Sequence, residues 1–275
     1  MNTALLDTDF ISKLHITKNG NHISLIQHFL QTSNFSFVCH EQICIELARH
    51  NGSASTWLTQ EIQKETIVQY TDEKLLLLLQ DAFTCQIFHH YLSALKESCD
   101  LFSASFYCSY YESLEALLET NAPACTIEKF IDALQACDSA VGCDNNLGEI
   151  KTYLTAKILY LCKNTTLYYF CSDDRKARCA VSVSAQHISI ECISALALFL
   201  IAKNLLHMPK DEARIYFDSW MKLHAQSGQT KFKVYDNTPS QRLISVDGIA
   251  LFENIYANRY RLRKDGMLTD ITIIE

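Results

Sequence analysis

Glycine and proline are scarce in this chain: its 275 residues hold 7 Gly and 3 Pro. So few turn-formers exclude an all-β sandwich rich in turns and favour long helices with short connections. No C-x-x-C pair occurs among the 12 cysteines, which argues against a zinc ribbon or a thioredoxin-type motif. The cysteines sit inside apolar runs, as Cys44 does in ICIEL and Cys162 in ILYLC, and read as reduced core residues. The longest apolar stretch, ISALALFLIA (193–202), is too short to cross a bilayer. The start, MNTALLDTDF, lacks the basic n-region and the apolar length of a signal peptide, so a cytoplasmic protein without a membrane partner is expected.

What the chain does have is ordinary for a globular protein, with 48% hydrophobic and 20% charged residues. Its length allows one large domain or a domain with an added module. The net charge of -7 by itself argues against nucleic acid, but the charge is segregated. Residues 51–149 hold 15 acids against 4 bases, whereas residues 229–264 hold 7 bases against 3 acids. The second segment could bind phosphate through counterion release, or be a solvated helix face.

The hydrophobic pattern gives the order β-α-β-α at the start. TALLD (3–7) is a short apolar run ending in an acid, followed by helical spacing in FISKLHI and HISLIQHFLQ. FSFVC (35–39) reads as a second buried strand, and EQICIELARHNG as a helix stopped at Asn51-Gly52. Such an order marks a parallel sheet with crossover helices. Residues 53 to about 138 read as entirely helical, a large insertion. The alternation then resumes: a helix in GEIKTYLTAKILYLCKN, a strand in TLYYFCS (166–172), a helix in DRKARCAVSVSA and a short strand in HISIECI. Two further helices follow. KFKVYD and ITIIE read as strands flanking a helix, GIALFENIYANRYRLRK. We therefore expect one domain over 1–228, including the insertion, and a small α+β extension over 229–275.

Four stretches place acids at the ends of these elements: LLDTDFISKL, HEQICIELARH, LGEIKTYLTAKI and YYFCSDDRKAR. Ligands of parallel α/β sheets bind beyond the carboxyl ends of the strands. Asp7 ends the first strand, Ser172-Asp173-Asp174 ends a later one, and Glu46 and Glu149 lie on helices that can bring them to the same rim. Clustered carboxylates repel one another unless cations bind, and Mg²⁺ or Mn²⁺ prefers such oxygen donors. A metal held there can activate water against a phosphodiester. Thr8 and Ser172 could orient the carboxylates through their hydroxyls. Each acid also has a plain alternative: Asp7, Asp9, Asp173 and Asp174 as helix caps, Glu149 at a helix dipole, Glu46 as a solvated helix residue.

Taken in order, these stretches resemble the motifs of PIN domains, the fold of many metal-dependent ribonucleases and of toxins from bacterial toxin–antitoxin pairs. LLDTDFISKL resembles the family's opening strand, acid and Thr, with Asp9 where Asn is usual. VCHEQICIELARHNG resembles the segment with the Glu-Leu pair, LGEIKTYLTAKIL the Gly-Glu helix opening, and YYFCSDDRKAR the strand followed by Ser/Thr-x-Asp and a nearby Arg. The resemblance implies a PIN-like α/β fold, a metal-dependent endoribonuclease, and Asp7, Glu46, Glu149 and Asp174 as catalytic metal ligands, with Asp173 a close second for the fourth acid and Asp9 nearby. It covers about 1–50 and 145–207. The chain departs from the pattern in its longer 53–138 segment, in Lys151 where many relatives carry a second acid, in Glu191 of ISIECIS, and in its C-terminal segment. The implied partners are RNA and an inhibitory antitoxin-like protein; a homodimer is left open.

Arg175 and Arg178, beside the acids, could approach a substrate phosphate or form surface ion pairs. Arg259 and Arg261 alternate with Tyr260 and Leu262 as along an extended strand, and could bind a phosphate backbone or protect an edge strand. Tyr107, Tyr110 and Tyr111 could stack bases or fill a core. Two other functions fit part of the pattern. LLDTDF matches the D-x-D start of haloacid-dehalogenase-type phosphatases, with Asp7 as nucleophile and Asp9 as general acid. The fold could also serve as a non-enzymatic binding module.

Overall fold

The structure, a computed structural model, describes residues 2–83, 85–103, 105–121, 125–142, 145–163, 168–184 and 188–271. Its elements run β1 (Asn2–Leu6), α1 (Thr8–Ile16), α2 (Leu25–Thr32), β2 (Phe35–His40), α3 (Glu41–His50), α4 (Gly52–Gln63), β3 (Ile67–Tyr70) and α5 (Asp72–Ala82). Then come α6 (Ile87–Phe102), α7 (Phe106–Tyr110), α8 (Glu112–Asn121), α9 (Ile127–Val141) and α10 (Leu147–Lys163). The chain continues through β4 (Tyr168–Cys171), α11 (Arg175–Ser184), β5 (Ile190–Ile193), α12 (Ala195–Asn204) and α13 (Lys210–Gln226). It finishes with β6 (Lys231–Tyr235), β7 (Leu243–Asp247), α14 (Gly248–Tyr256), β8 (Tyr260–Leu262) and β9 (Leu268–Asp270).

The main sheet has five parallel strands in the order β3-β2-β1-β4-β5 and is flanked by helices, as expected from the sequence. Ala4, Leu5 and Leu6 of β1 are buried in succession, the continuous apolar run of a strand covered on both faces. Among the described residues, no helix is long and apolar enough to cross a membrane.

The expectation of an entirely helical 53–138 is corrected by β3. It pairs in parallel with β2, from Phe37↔Ile67 to His40↔Tyr70. Four residues between two helices show no alternation long enough to read, while β-branched Ile67 and Val68 suit the pleat. Helices α4 to α9 make up most of the rest of that stretch among the described residues.

The contacts divide the chain into two compact units. The first comprises 1–8, 36–168 and 183–189. Its central helix is α10, which is buried nearly all round from Leu147 to Leu159 and packs on α3, α5 and α6. His40, Asn51, Thr71 and Thr126 cap α3, α4, α5 and α9, each side chain accepting a backbone N–H of the first turn.

The second unit comprises 9–35, 169–182 and 190–275. Residues from 229 onward belong to it together with α12 and α13. Phe199, Phe217, Trp220, Phe232 and Phe252 interlock as a buried aromatic cluster. A four-stranded sheet, β7-β6-β9-β8, forms the C-terminal part, with β6 and β7 antiparallel from Lys231↔Asp247 to Tyr235↔Leu243. The helix expected over GIALFENIYANRYRLRK ends at Tyr256, and its basic tail becomes β8. The strand expected in ITIIE is corrected at Ile271, which lies in none, while 272–275 fall outside the described residues.

Candidate metal centre and a buried lysine network

Three of the four expected acids lie in the first unit, on segments that meet at one carboxylate. Asp7 follows β1 and is 2% exposed. The next residue, Thr8, donates its hydroxyl to Glu46 Oε2 at 2.6 Å. Gln42, one helical turn before Glu46 on the same face of α3, donates Nε2 to Glu46 Oε1 at 3.3 Å. Both Glu46 oxygens are thereby held. The carboxylate also abuts Gly148 in the first turn of α10: a Cβ built there would lie 2.5 Å from Oε2 and 2.9 Å from Cδ. Glycine at 148 is thus what lets this acid reach the start of the helix. Glu149, half-buried, is the next residue.

The remaining acids lie in the second unit. Asp174 caps α11, its Oδ1 accepting the N–H groups of Lys176 at 2.5 Å and Ala177 at 3.0 Å. Asp173 accepts from Lys13 Nζ at 2.7 Å and from the Ala195 N–H at 3.1 Å. Burial opposes the charge on Lys13, but Asp173 outweighs it and raises the ammonium above its ordinary value. Asp9 stands 4.0 Å from the same ammonium.

Arg175 is exposed, in keeping with a surface role. The expectation that Arg178 faces a substrate is corrected. It is 3% exposed, and its guanidinium donates to the carbonyls of Ser172 at 2.8 Å and Asp265 at 3.2 Å. Arg178 lies three residues beyond Arg175 on a short helix and turns inward to backbone carbonyls, which periodicity alone does not reveal. Arg259 and Arg261 are exposed around buried Tyr260. Tyr107 and Tyr111 are corrected as base-stacking candidates: both are buried, donating to Glu115 at 2.9 Å and Asp138 at 2.7 Å.

A second cluster, unforeseen from the sequence, surrounds Lys151 in the first unit. Its side chain is wholly buried, and its ammonium lies 2.8 Å from Asp72 Oδ2 and 2.9 Å from Asp138 Oδ2. Tyr91 donates to Asp72 Oδ1 and Tyr111 to Asp138. Burial alone would push the Asp72 carboxyl up, but the Lys151 ammonium and His40 hold it below the usual carboxylate range. Burial and the adjacent Asp72 carboxylate push the Tyr91 hydroxyl well above its ordinary value. A cavity of about 370 Å³ borders the cluster, with Arg49, Gln135 and Ser139 among its lining.

One ligand atom each from His40, Glu41 and Asp72 lies within 4.8 Å of the others, a spacing compatible with a metal. Their hydrogen bonds argue against it. The Gln42 backbone N–H donates to His40 Nδ1 at 3.1 Å, so the ring proton sits on Nε2 and is given to Asp72 Oδ1 at 3.2 Å. Neither ring nitrogen has a lone pair left for a cation. Glu41 Oε1 accepts the Asp72 N–H at 3.2 Å, and the Lys151 ammonium already supplies positive charge. The cluster is an internal ion network. The sequence carries only a partial signal for it: Lys151 sits among Ile150, Tyr153 and Leu154 in a largely apolar helix, and a lysine buried there needs acids for neighbours.

No family model matches this chain, and neither the curated proteins nor the solved structures hold a match to it.

Proposed function

We propose that the chain is a metal-dependent endoribonuclease whose Mg²⁺ or Mn²⁺ is held by Asp7, Glu46 and Glu149 of the first unit. The observation that carries this is the meeting of three motifs at the Glu46 carboxylate, through the Thr8 hydroxyl and the bare Cα of Gly148. The three side chains offer carboxylate oxygens, the donors such a cation prefers, but among the described residues these oxygens are not gathered within 4.8 Å of one another, so a bound cation would have to draw them together. When bound, the metal supplies charge neutralisation at the phosphodiester and a more acidic attacking water. Thr8 and Gln42 fix the orientation of Glu46, each holding one of its oxygens by donation. The exposed Arg259 and Arg261 of the second unit would add salt-dependent grip on RNA.

The test is cleavage of mixed structured and single-stranded RNA with Mg²⁺, Mn²⁺ or chelator. Asp7→Asn and Glu46→Gln should each lower metal-dependent cleavage by at least about 10²-fold. Equal cleavage by both variants and the parent would remove the proposal.

The resemblance also makes Asp174 a metal ligand, and its cap allows a separate test. Asp174→Asn keeps a capping oxygen and should leave stability unchanged, whereas Asp174→Ala should lose about 1 kcal/mol. Loss of cleavage in the Asn variant assigns the charge a chemical role. Full cleavage there leaves Asp174 a cap alone.

A second reading, a non-enzymatic binding module, draws on the state of the second unit's acids. Asp173 is neutralised by Lys13 and Asp174 is bound to backbone N–H groups, as structural acids are. Unchanged metal binding and unchanged function in Asp7→Asn would favour it.

A further inference from the structure

We propose that Cys39 and Cys44 close into a reversible disulfide when the protein meets a hydroperoxide. β2 runs directly into α3 with His40 as the cap, so the first turn of the helix folds back over the end of the strand. The two cysteines belong to these adjoining elements, and their thiols lie near enough to influence each other's ionisation. The sheet register supports this nearness independently. Cys39 is the Cα partner of Gln69 on the parallel β3, which puts their side chains on one face. From that face the Gln69 amide reaches Cys44 Sγ, donating at 3.2 Å. Cys44 therefore lies over the place from which the Cys39 side chain rises.

Exposure divides the roles. Cys39 is buried and Cys44 is partly open to solvent. Cys44 meets the oxidant. Its sulfur bonds to one peroxide oxygen, the O–O bond breaks, and the departing oxygen takes the thiol proton and leaves as water or an alcohol. The product is a sulfenic acid at Cys44. The Cys39 sulfur then attacks the Cys44 sulfur: an S–S bond forms, the S–O bond breaks, and the hydroxyl leaves as water with the Cys39 proton. Two thiols are oxidised and one peroxide is reduced. A dithiol reductant reverses the closure by exchange. The disulfide ties the first turn of α3, the helix that carries Glu46, to β2. Closure of the pair requires no nuclease activity.

One peptide reports the outcome. Trypsin releases 19–49, which contains Cys39 and Cys44 and no other cysteine. The full chain would be treated with hydrogen peroxide, alkylated, digested and weighed. The expected result is that this peptide loses two hydrogens, escapes alkylation, and regains both on reduction. In Cys39→Ala the chemistry should stop at a Cys44 sulfenic acid, trapped by a dicarbonyl reagent. In Cys44→Ser, on the more open side of the pair, Cys39 should stay reduced, so the test survives if the core variant fails to fold. Exposed Cys85 and Cys108 serve as internal controls. If they oxidise while Cys39 and Cys44 are both alkylated, or if either of the pair bonds to a different cysteine, the proposal is overturned.

Discussion

Lys151→Met is expected to lower stability by about 3–5 kcal/mol, the range for removing one partner of a buried ion pair. Methionine fills a similar length with apolar atoms, so packing changes little. What changes is charge: Asp72 and Asp138 remain buried without the ammonium that lies 2.8 and 2.9 Å away. Urea denaturation measures the loss. Neutralising both acids as well, in Lys151→Met with Asp72→Asn and Asp138→Asn, should recover part of it, because the penalty belongs to the unpaired charges. A single variant as stable as the parent would show that the network contributes nothing.

The pH dependence of this difference has a definite sign. Burial opposes the charge on Asp72, but Lys151 and His40 hold its folded value below the ordinary one. Its contribution is therefore present above the unfolded pKa of about 3.9 and is lost as pH falls through the folded value. Burial likewise opposes the charge on Lys151, while Asp138 and Asp72 raise its folded value. That contribution is present below the unfolded pKa of about 10.4 and is lost as pH rises through the folded value. In Lys151→Met the ammonium is gone and burial raises the carboxyls instead, so the variant relieves its unpaired charge by taking up protons as pH falls. The gap between parent and Lys151→Met should therefore be widest in the alkaline range and narrow steadily on acidification; a gap that does not change with pH would argue against unpaired carboxylates as its cause.

Gly148→Ala should separate the site from the fold. A Cβ there lies 2.5 Å from Glu46 Oε2, closer than non-bonded atoms tolerate. The obstructed group is the end of a flexible side chain, so Glu46 can swing away at little cost to stability. Alanine also favours the helix by up to about 1 kcal/mol. The variant should be as stable as the parent or slightly more so, yet lose about 10²-fold in metal-dependent cleavage, the scale expected for an approximately 1 Å misplacement. Full cleavage by a folded Gly148→Ala protein would mean that the position of Glu46 is irrelevant to the chemistry.

How far the sequence could be read depended on how local each signal was. β1, β2 and α3 follow from short apolar runs and from the stop at Asn51, and the structure has them within a residue or so. β3 was hidden because four residues carry too little alternation to outweigh the helices around them. Asp7 could be singled out because it follows a recognisable strand, and Glu46 and Glu149 because they lie on recognisable helices. That Glu46 rests on Gly148 could not, since it needs the approach of helices about a hundred residues apart in sequence. The partners of Lys151 were equally out of reach: a buried lysine needs acids beside it, but only the tertiary fold picks Asp72 and Asp138 from the many acids of 51–149.

The close fit of Glu46 to Gly148 also constrains which sequences can descend from this one. With alanine at 148 the carboxylate can keep its present direction only on a shorter acid at 46, and Glu46→Asp would withdraw it by one methylene. The two positions should therefore drift together, a glycine accompanying the longer acid and a larger residue the shorter one. Divergent copies of this chain would keep a record of the contact even where overall likeness has faded.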